Sequence, residues 1–390
     1  MFRTNALLLM ISLALWLNSC GSPEVNEQSQ VKHLKTLKLQ GGEGTLNFSQ
    51  FIDSIRYVVL ETTPQNIIGK IGKLWVTDQR IWVMDKQATR VWVFDPNGNF
   101  LFGFCQQGRG PGELRRLNTM IVAEERNRVY LSDPGKSIQV FDTTGKFIEQ
   151  IQSPFFFKEF EQVGPNCFAL WTMIDNTGYT DDSTNLAYNL LLVDSTFQQL
   201  QGKYFPYTQG LDDIQAFNRF SSGKGQVLFN YSRYDTLYQI FPTDVSPAWI
   251  MDFGEHAFDP AMLADYGPQS IENLTVHDKL TQRGVHHSIN RFFHDSKYLI
   301  LYTGIRNRTR ILLRHLPSKK TFYANQWQND LTGINSVDLV GLFGHELYFV
   351  VPAYRLAEME SADAVALSQK VNPRDNPVLM IATLKPFSNQ

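Results

Sequence analysis

Apolar and polar positions in this chain alternate in short runs, the spacing of half-buried strands rather than of helices. The clearest stretch is 80–104, RIWVMDKQATRVWVFDPNGNFLFGF, and 128–151, RVYLSDPGKSIQVFDTTGKFIEQI, repeats it. Ile81 matches Val129 and Asp85 matches Asp133, each 48 residues apart. Val93, Phe94, Asp95, Gly98 and Phe100 match Val140, Phe141, Asp142, Gly145 and Phe147, each 47 apart. The unit reads as a strand, a short loop, a strand ending in Asp, a tight turn at Asp95–Gly98 or Asp142–Gly145, and another strand. A period near 47 built from short strands predicts the four-stranded antiparallel blades of a β-propeller.

Weaker copies follow at 167–200, 225–242, 298–324 and 345–384, the last interrupted by a predicted helix over 356–369. The strand-like DSIRYVVLET at 53–62 precedes the first full blade and is placed to complete the last, closing the ring. The predicted fold is therefore all-β, a six-bladed β-propeller over 45–385, with seven blades left open by the divergence of the later repeats. Residues 254–295 exceed one connector; they hold the first strand of blade five near 288–294 and a predicted helix near 260–266. Loops of that length usually serve function or stay unstructured.

Composition narrows the partners. A formal net charge of -2 on 390 residues, without a polybasic cluster, argues against nucleic acid. The N-terminus carries Arg3, then the apolar run from Ala6 to Leu17, too short to span a bilayer and suited to a signal-peptide core. It ends in Leu17-Asn18-Ser19-Cys20, which resembles a bacterial lipobox. That resemblance implies a signal peptide over 1–19, lipidation of Cys20, and a cell-envelope location with the membrane as partner through the anchor. The polar stretch over 20–44 reads as a tether. Cys105 and Cys167 show neither disulfide-framework nor metal spacing and read as small apolar packing groups.

The stretch FCQQGRGPGELRRLNTMIVAEERNRVYLSDPGKSIQVFD, 104–142, resembles an NHL-type repeat: a glycine-rich turn, an apolar strand, and strands ending in Asp. With the lipobox and the early IRYVVLET strand, the chain is similar to the envelope six-bladed β-propeller lipoproteins. The resemblance implies the same ring and anchor and no particular activity, since most of that family has none assigned.

Candidate chemistry is sparse. CQQGRGPGEL, 105–114, lacks the Lys-Ser/Thr of a phosphate loop and leads into a strand, so it reads as a connector between blades one and two. In such a connector Glu113 is placed to accept backbone N–H groups or to pair with Arg109 or Arg115. Loops between second and third strands share a face with the connectors. They carry Lys86, Arg90, Lys136, Arg233, Arg306, Arg308 and Arg355, with Arg109 on the first connector, while Asp181 and Asp182 stand out in blade three. A rim of bases suggests a funnel for an anionic glycan or a carboxylate-bearing peptide; the bland alternative is solvated loop bases, with Arg90 structural. His286, His287 and His294 resemble a metal cluster only superficially, because neighbours on a strand point apart. No nucleophile elbow, C-x-x-C, H-E-x-x-H or G-x-G-x-x-G motif is present, and neither cofactor nor metal is expected. The expected function is a ligand-binding or protein-interaction module. A propeller hydrolase or lyase on polysaccharide or lactone, with His286 or His287 as acid or base, is the alternative enzyme. A purely structural envelope subunit is the third reading.

Overall fold

Blade one shows how the repeat folds. Its strands Ile71–Val76, Ile81–Asp85, Arg90–Phe94 and Phe100–Phe104 pair antiparallel in chain order. The middle two are almost continuously buried, because neighbouring blades cover both sheet faces. Val91 and Val93 pack with Val129 and Leu131 of blade two. Trp92 and Phe94 pack with Leu379 and Ile381 of blade six. The computed structural model describes residues 34–39, 42, 44–172, 180–184, 186–207, 218–223, 225–231, 235–259, 284–285, 289–305, 308–335 and 337–387.

Five further four-stranded antiparallel sheets complete the ring. Blade two is Thr119–Ala123, Arg128–Ser132, Gly135–Phe141 and Phe147–Phe157; blade three is Glu159–Gly164, Cys167–Trp171, Leu186–Asp194 and Leu200–Pro206. Blade four is Phe220–Gly223, Gln226–Asn230, Thr236–Phe241 and Asp244–Asp252. Blade five is Ile289–His294, Tyr298–Ile305, Arg308–His315 and Thr321–Ala324. Blade six takes Asp338–Phe343, Glu346–Val351 and Val378–Leu384, and its fourth strand is Ile52–Val59 from the start of the fold. The predicted closure and the count of six are thus both observed. First strands of successive blades approach one another, as between blades six and one, two and three, and four and five, so these strands line the central axis. Strand direction alternates within each blade. The loops between second and third strands therefore open on the same side as the blade-to-blade connectors, here the connector face.

Two expectations need correction. The tether read over 20–44 ends earlier, because Lys35–Lys38 adds a parallel fifth strand to blade four beside Trp249–Asp252 and buries Leu37. The apolar Leu37 and Leu39 are what draw this polar-looking stretch onto the sheet, both nearly inaccessible. The helix predicted over 356–369 is two short helices, Ala353–Leu356 and Ala362–Ser368. Ser361 interrupts it by capping the second, its side chain accepting from Ala364 N at 3.3 Å. The helix predicted near 260–266 lies outside the described residues. No described helix is long and apolar enough to cross a membrane.

Cys105 and Cys167 are free and buried, as read from their spacing. Burial pushes the Cys105 thiol up to about 12 and the Cys167 thiol up to about 11. With Cys20 replaced, neither should react with a thiol reagent at about pH 8 until the protein unfolds, since the thiolate is the nucleophile. Native-state labelling at the rate of a free thiol would contradict the packing.

Candidate functional site

Charged side chains gather at the connector-face end of the first strands. Blade three begins there with Glu159 and, two residues on and hence on the same side of the strand, Glu161. Glu161 is buried and pairs with Lys73 of blade one, Nζ to Oε2 3.6 Å. Blades one and three are not neighbours in the ring, so this ion pair bridges first strands across blade two. Glu159 accepts from the Arg219 backbone N–H at 3.4 Å, just before blade four. The Arg219 side chain is buried, its guanidinium 4.5 Å from the Trp171 ring. Desolvation pushes the Glu159 carboxyl above the usual range, and Arg219, Lys86 and Lys73 hold it back only in part.

Lys86 reaches this mouth from the loop after Asp85. Its stem lies on Gly72, where a Cβ would stand 2.5 Å from Lys86 Cγ, so only glycine leaves room for the crossing. The stem is packed while the residue as a whole stays exposed, as long amphipathic side chains allow. Burial lowers the Lys86 ammonium from its ordinary value, Glu159 opposes this, and Lys70, Lys73 and Arg116 depress it further. Lys70, Lys86 and Arg116 are all exposed, and none forms an ion pair with a described residue. Lys86, Lys73 and Arg219 act on the Glu159 carboxylate, whose charge burial disfavours, and Lys70 and Arg116 add further positive charge beside Lys86. The excess charge at the mouth is positive.

The predicted rim is only partly assembled. Lys86 joins the mouth. Arg90 turns inward, donating from Nε to Cys105 O at 3.1 Å and stacking 5.0 Å from the Trp92 ring, which fixes it as a structural residue. Arg109 and Lys136 are exposed on the connector face around blade two. Arg355 sits beside Tyr354 and 3.8 Å from Glu358. Cys20, Arg233 and Arg306 lie outside the described residues, as does the Arg308 side chain. Asp181 is buried and paired with Lys203, whereas Asp182 is exposed. His286 and His287 are outside the described residues. His294 is buried with Nδ1 3.1 Å from Ser221 Oγ, and burial lowers it to about 4. Among the described residues no group of three His, Cys, Asp or Glu is placed to hold a metal.

Six mouth residues escaped the motif reading: Lys70, Lys73, Arg116, Glu159, Glu161 and Arg219. Lys70, Lys73, Glu159 and Glu161 show only as charge on first strands or their starts, in GKIGKLWV and KEFEQVG, and Arg116 and Arg219 as single bases just before such strands. The connector 105–114 resolves as scaffold. Gln106–Gln107 pairs parallel with Glu113–Leu114, and the Glu113 carboxylate accepts from Arg109 N at 2.9 Å, Gly110 N at 2.8 Å and Gln106 Nε2 at 2.7 Å. Gly108 is required because a Cβ there would overlap Glu113 Oε2. Arg115 pairs with Asp133 instead, at 3.3 Å.

A six-bladed β-propeller with a cationic mouth on its axis is the class that fold and site define. The chain belongs to the family described as Domain of unknown function DUF4934, whose model matches residues 34–383. It is similar in structure to a protein of Bacteroides fragilis NCTC 9343 described as exported. Identity is 14%, the likeness covers 90% of this chain and 100% of that one, and the TM-score is 0.74. A member of the DUF4221 family from Bacteroides vulgatus ATCC 8482 is 9% identical, covering 86% of this chain and 97% of that one at a TM-score of 0.52. At such identities the likeness shows the fold. No curated protein matches the chain.

Proposed function

We propose that this protein is a binding propeller of the cell envelope, tethered through a lipid on Cys20, whose axial mouth takes an anionic ligand such as a carboxylate-bearing glycan. The observation that carries the reading is the gathering of Lys70, Lys86 and Arg116 at the mouth, none of them ion-paired among the described residues. Burial first and the neighbouring cations second lower the Lys86 ammonium, and Glu159 only partly opposes them. Like charges held together repel one another, and an anion entering the mouth relieves that repulsion. Guanidinium and ammonium groups on separate elements also favour a multivalent carboxylate over a neutral sugar. The envelope location rests on the lipobox-like Leu17–Cys20 and is in keeping with the exported description of the Bacteroides fragilis protein.

Retention on immobilised polygalacturonate against a neutral glucan tests this. The chain should be retained on the acidic polymer alone, and Lys86→Glu with Arg116→Glu should weaken retention at least about tenfold, the effect of about 1.4 kcal/mol. Lys146→Glu with Lys297→Glu changes net charge equally but lies on turns of the opposite face, and should leave most retention intact. Equal retention of the two double variants would overturn the reading. A second reading, cleavage of a bound polysaccharide, is favoured by one observation: Glu159 is an acid whose proton is held to higher pH by burial, as a proton donor requires. It predicts turnover that Glu159→Gln removes while retention persists.

A further inference from the structure

We propose a second binding site on the connector face of blade two, separate from the axial mouth, for a compact sugar acid carried free or at the end of an acidic glycan. A cavity of about 330 Å³ opens between the 105–115 connector and the third and fourth strands of this blade. Its chemistry comes from Arg109, Arg115, Asp133, Ser137, Gln139 and Gln150, while the Glu113 carboxylate that also lines it is taken up by Gln106 Nε2 and the Arg109 and Gly110 amides. The volume falls within the range of small-ligand sites, at its lower end.

The internal repeat explains why a cavity exists here and shows what it lacks. In blade one Trp92 fills the matching space, donating its indole N–H to Asp85 at 3.3 Å, beneath the Arg90 guanidinium and over Gly103. Forty-seven residues on, Arg90, Trp92 and Gly103 become Ser137, Gln139 and Gln150. An aromatic plug is replaced by two amides and a hydroxyl. The third strands of the other blades turn Trp92, Leu191, Tyr238, Leu312 and Met380 toward the preceding blade. Blade two alone turns Gln139 there.

The polar groups that replaced the plug are left open. Gln139 is 4% exposed; its Oε1 accepts from Gly112 N at 3.1 Å, and its Nε2 has no partner among the described residues. Ser137 Oγ is buried without a hydrogen bond. Asp85 accepts from four backbone amides, of Gly69, Lys70, Gln87 and Ala88, besides the indole. Its counterpart Asp133 receives only Arg115 Nε among the described residues. Gln139 and Ser137 are thus buried with hydrogen-bonding capacity unused among the described residues, while Gln150 stands exposed at the opening, and a ligand that satisfies the two buried groups offsets the cost of burying them. Gln139, Ser137, Gln150 and Asp133 offer donors and acceptors for sugar hydroxyls, and the Arg109 guanidinium, unpaired among the described residues, offers a fork for one carboxylate.

Ligand-observed NMR with D-glucuronate and D-glucose tests the site on the whole chain. Glucuronate should bind in the millimolar range and glucose at least about fivefold more weakly, about 1 kcal/mol. Gln139→Trp with Gln150→Gly restores the plug of blade one and should abolish glucuronate binding while cooperative unfolding is retained. Arg109→Ala, an exposed change that leaves the walls intact, should lower glucuronate affinity to that of glucose and leave glucose unchanged. Lys146→Glu with Lys297→Glu, on turns of the opposite face, should leave glucuronate binding as it is, whatever polygalacturonate retention shows. A trigalacturonate arm assigns the source: tighter binding than the monomer marks a chain end, equal binding a free acid. The proposal is overturned if wild type binds no glucuronate at about 10 mM, if the plugged variant binds it unchanged, or if Arg109→Ala leaves its affinity above that of glucose.

Discussion

A chain beginning at residue 61 should have no cooperative unfolding transition, whereas one beginning at residue 44 should unfold cooperatively at a lower temperature than the full fold. Residues 45–60 supply the outer strand of blade six, and without them Val378–Leu384 loses every partner on one side. They also carry Leu46, Phe48, Phe51, Ile52, Val58 and Leu60, all buried. Phe51 lies 5.1 Å from Trp327 and 5.9 Å from Phe322, so the same segment fastens blade six to blade five. Six buried apolar side chains at about 1.5–3 kcal/mol each match the whole stability margin of an ordinary domain, about 5–15 kcal/mol. An open ring also exposes an unpaired, apolar strand edge, which invites aggregation.

The shorter deletion removes a different kind of element. Lys35–Lys38 is peripheral, and its loss uncovers Leu37 and Leu39 but leaves the ring closed. The cost is about 2–5 kcal/mol, from two side chains of that size. Differential scanning calorimetry of the two chains separates these outcomes, and a synthetic peptide of residues 45–62 should restore a transition to the longer deletion. A sharp native-like transition in the chain from residue 61 would show that closure is not what completes the fold.

Closure was legible in the sequence because it depends on local pattern. The alternation of IDSIRYVV announces a strand, and the missing outer strand of the last repeat gives it one place to go. The turns Asp95–Gly98 and Asp142–Gly145 were legible for the same reason: Asp95 and Asp142 accept from backbone amides within their own turns. The axial mouth was not. Lys73, Lys86, Arg116, Glu159 and Arg219 come from connectors, loops and first strands of four blades, and no spacing along the chain reports that a ring gathers them. Arg90 was misplaced on the rim because a base after a loop looks solvated, while its fate was set by Trp92 two residues on and Cys105 O across the strand. The plug missing from blade two was written in the repeat as Trp92 against Gln139. It acquires meaning only once both residues are known to face the preceding blade.

Replacing Glu159 by Gln should raise stability at neutral pH and remove the fall in anion binding that ionisation of Glu159 causes at the mouth. Burial raises the carboxyl in the folded protein above its unfolded value, so between those two values the native state holds a proton that the unfolded state has lost. Stability from this group is therefore complete below the unfolded value, about 4.3, and is lost as pH rises toward the folded one. Glu113, Asp95, Asp142, Asp194 and Asp330 are shifted downward and act in the opposite sense, losing stability as pH falls. They are common to both proteins, so the wild-type-minus-variant difference isolates Glu159. It should be near zero at about pH 4 and grow by up to about 1.4 kcal/mol per pH unit before levelling off, less whatever solvent at the open mouth screens. Binding follows the same proton. An ionised Glu159 repels an incoming anion, so wild-type affinity for polygalacturonate should fall as Glu159 ionises, and the Gln variant should hold its affinity flat over that range. A second fall at alkaline pH, as Lys86 loses its lowered proton, should appear in both proteins. Chemical denaturation and retention measured across pH provide the check, and parallel curves for the two proteins would remove Glu159 from both roles.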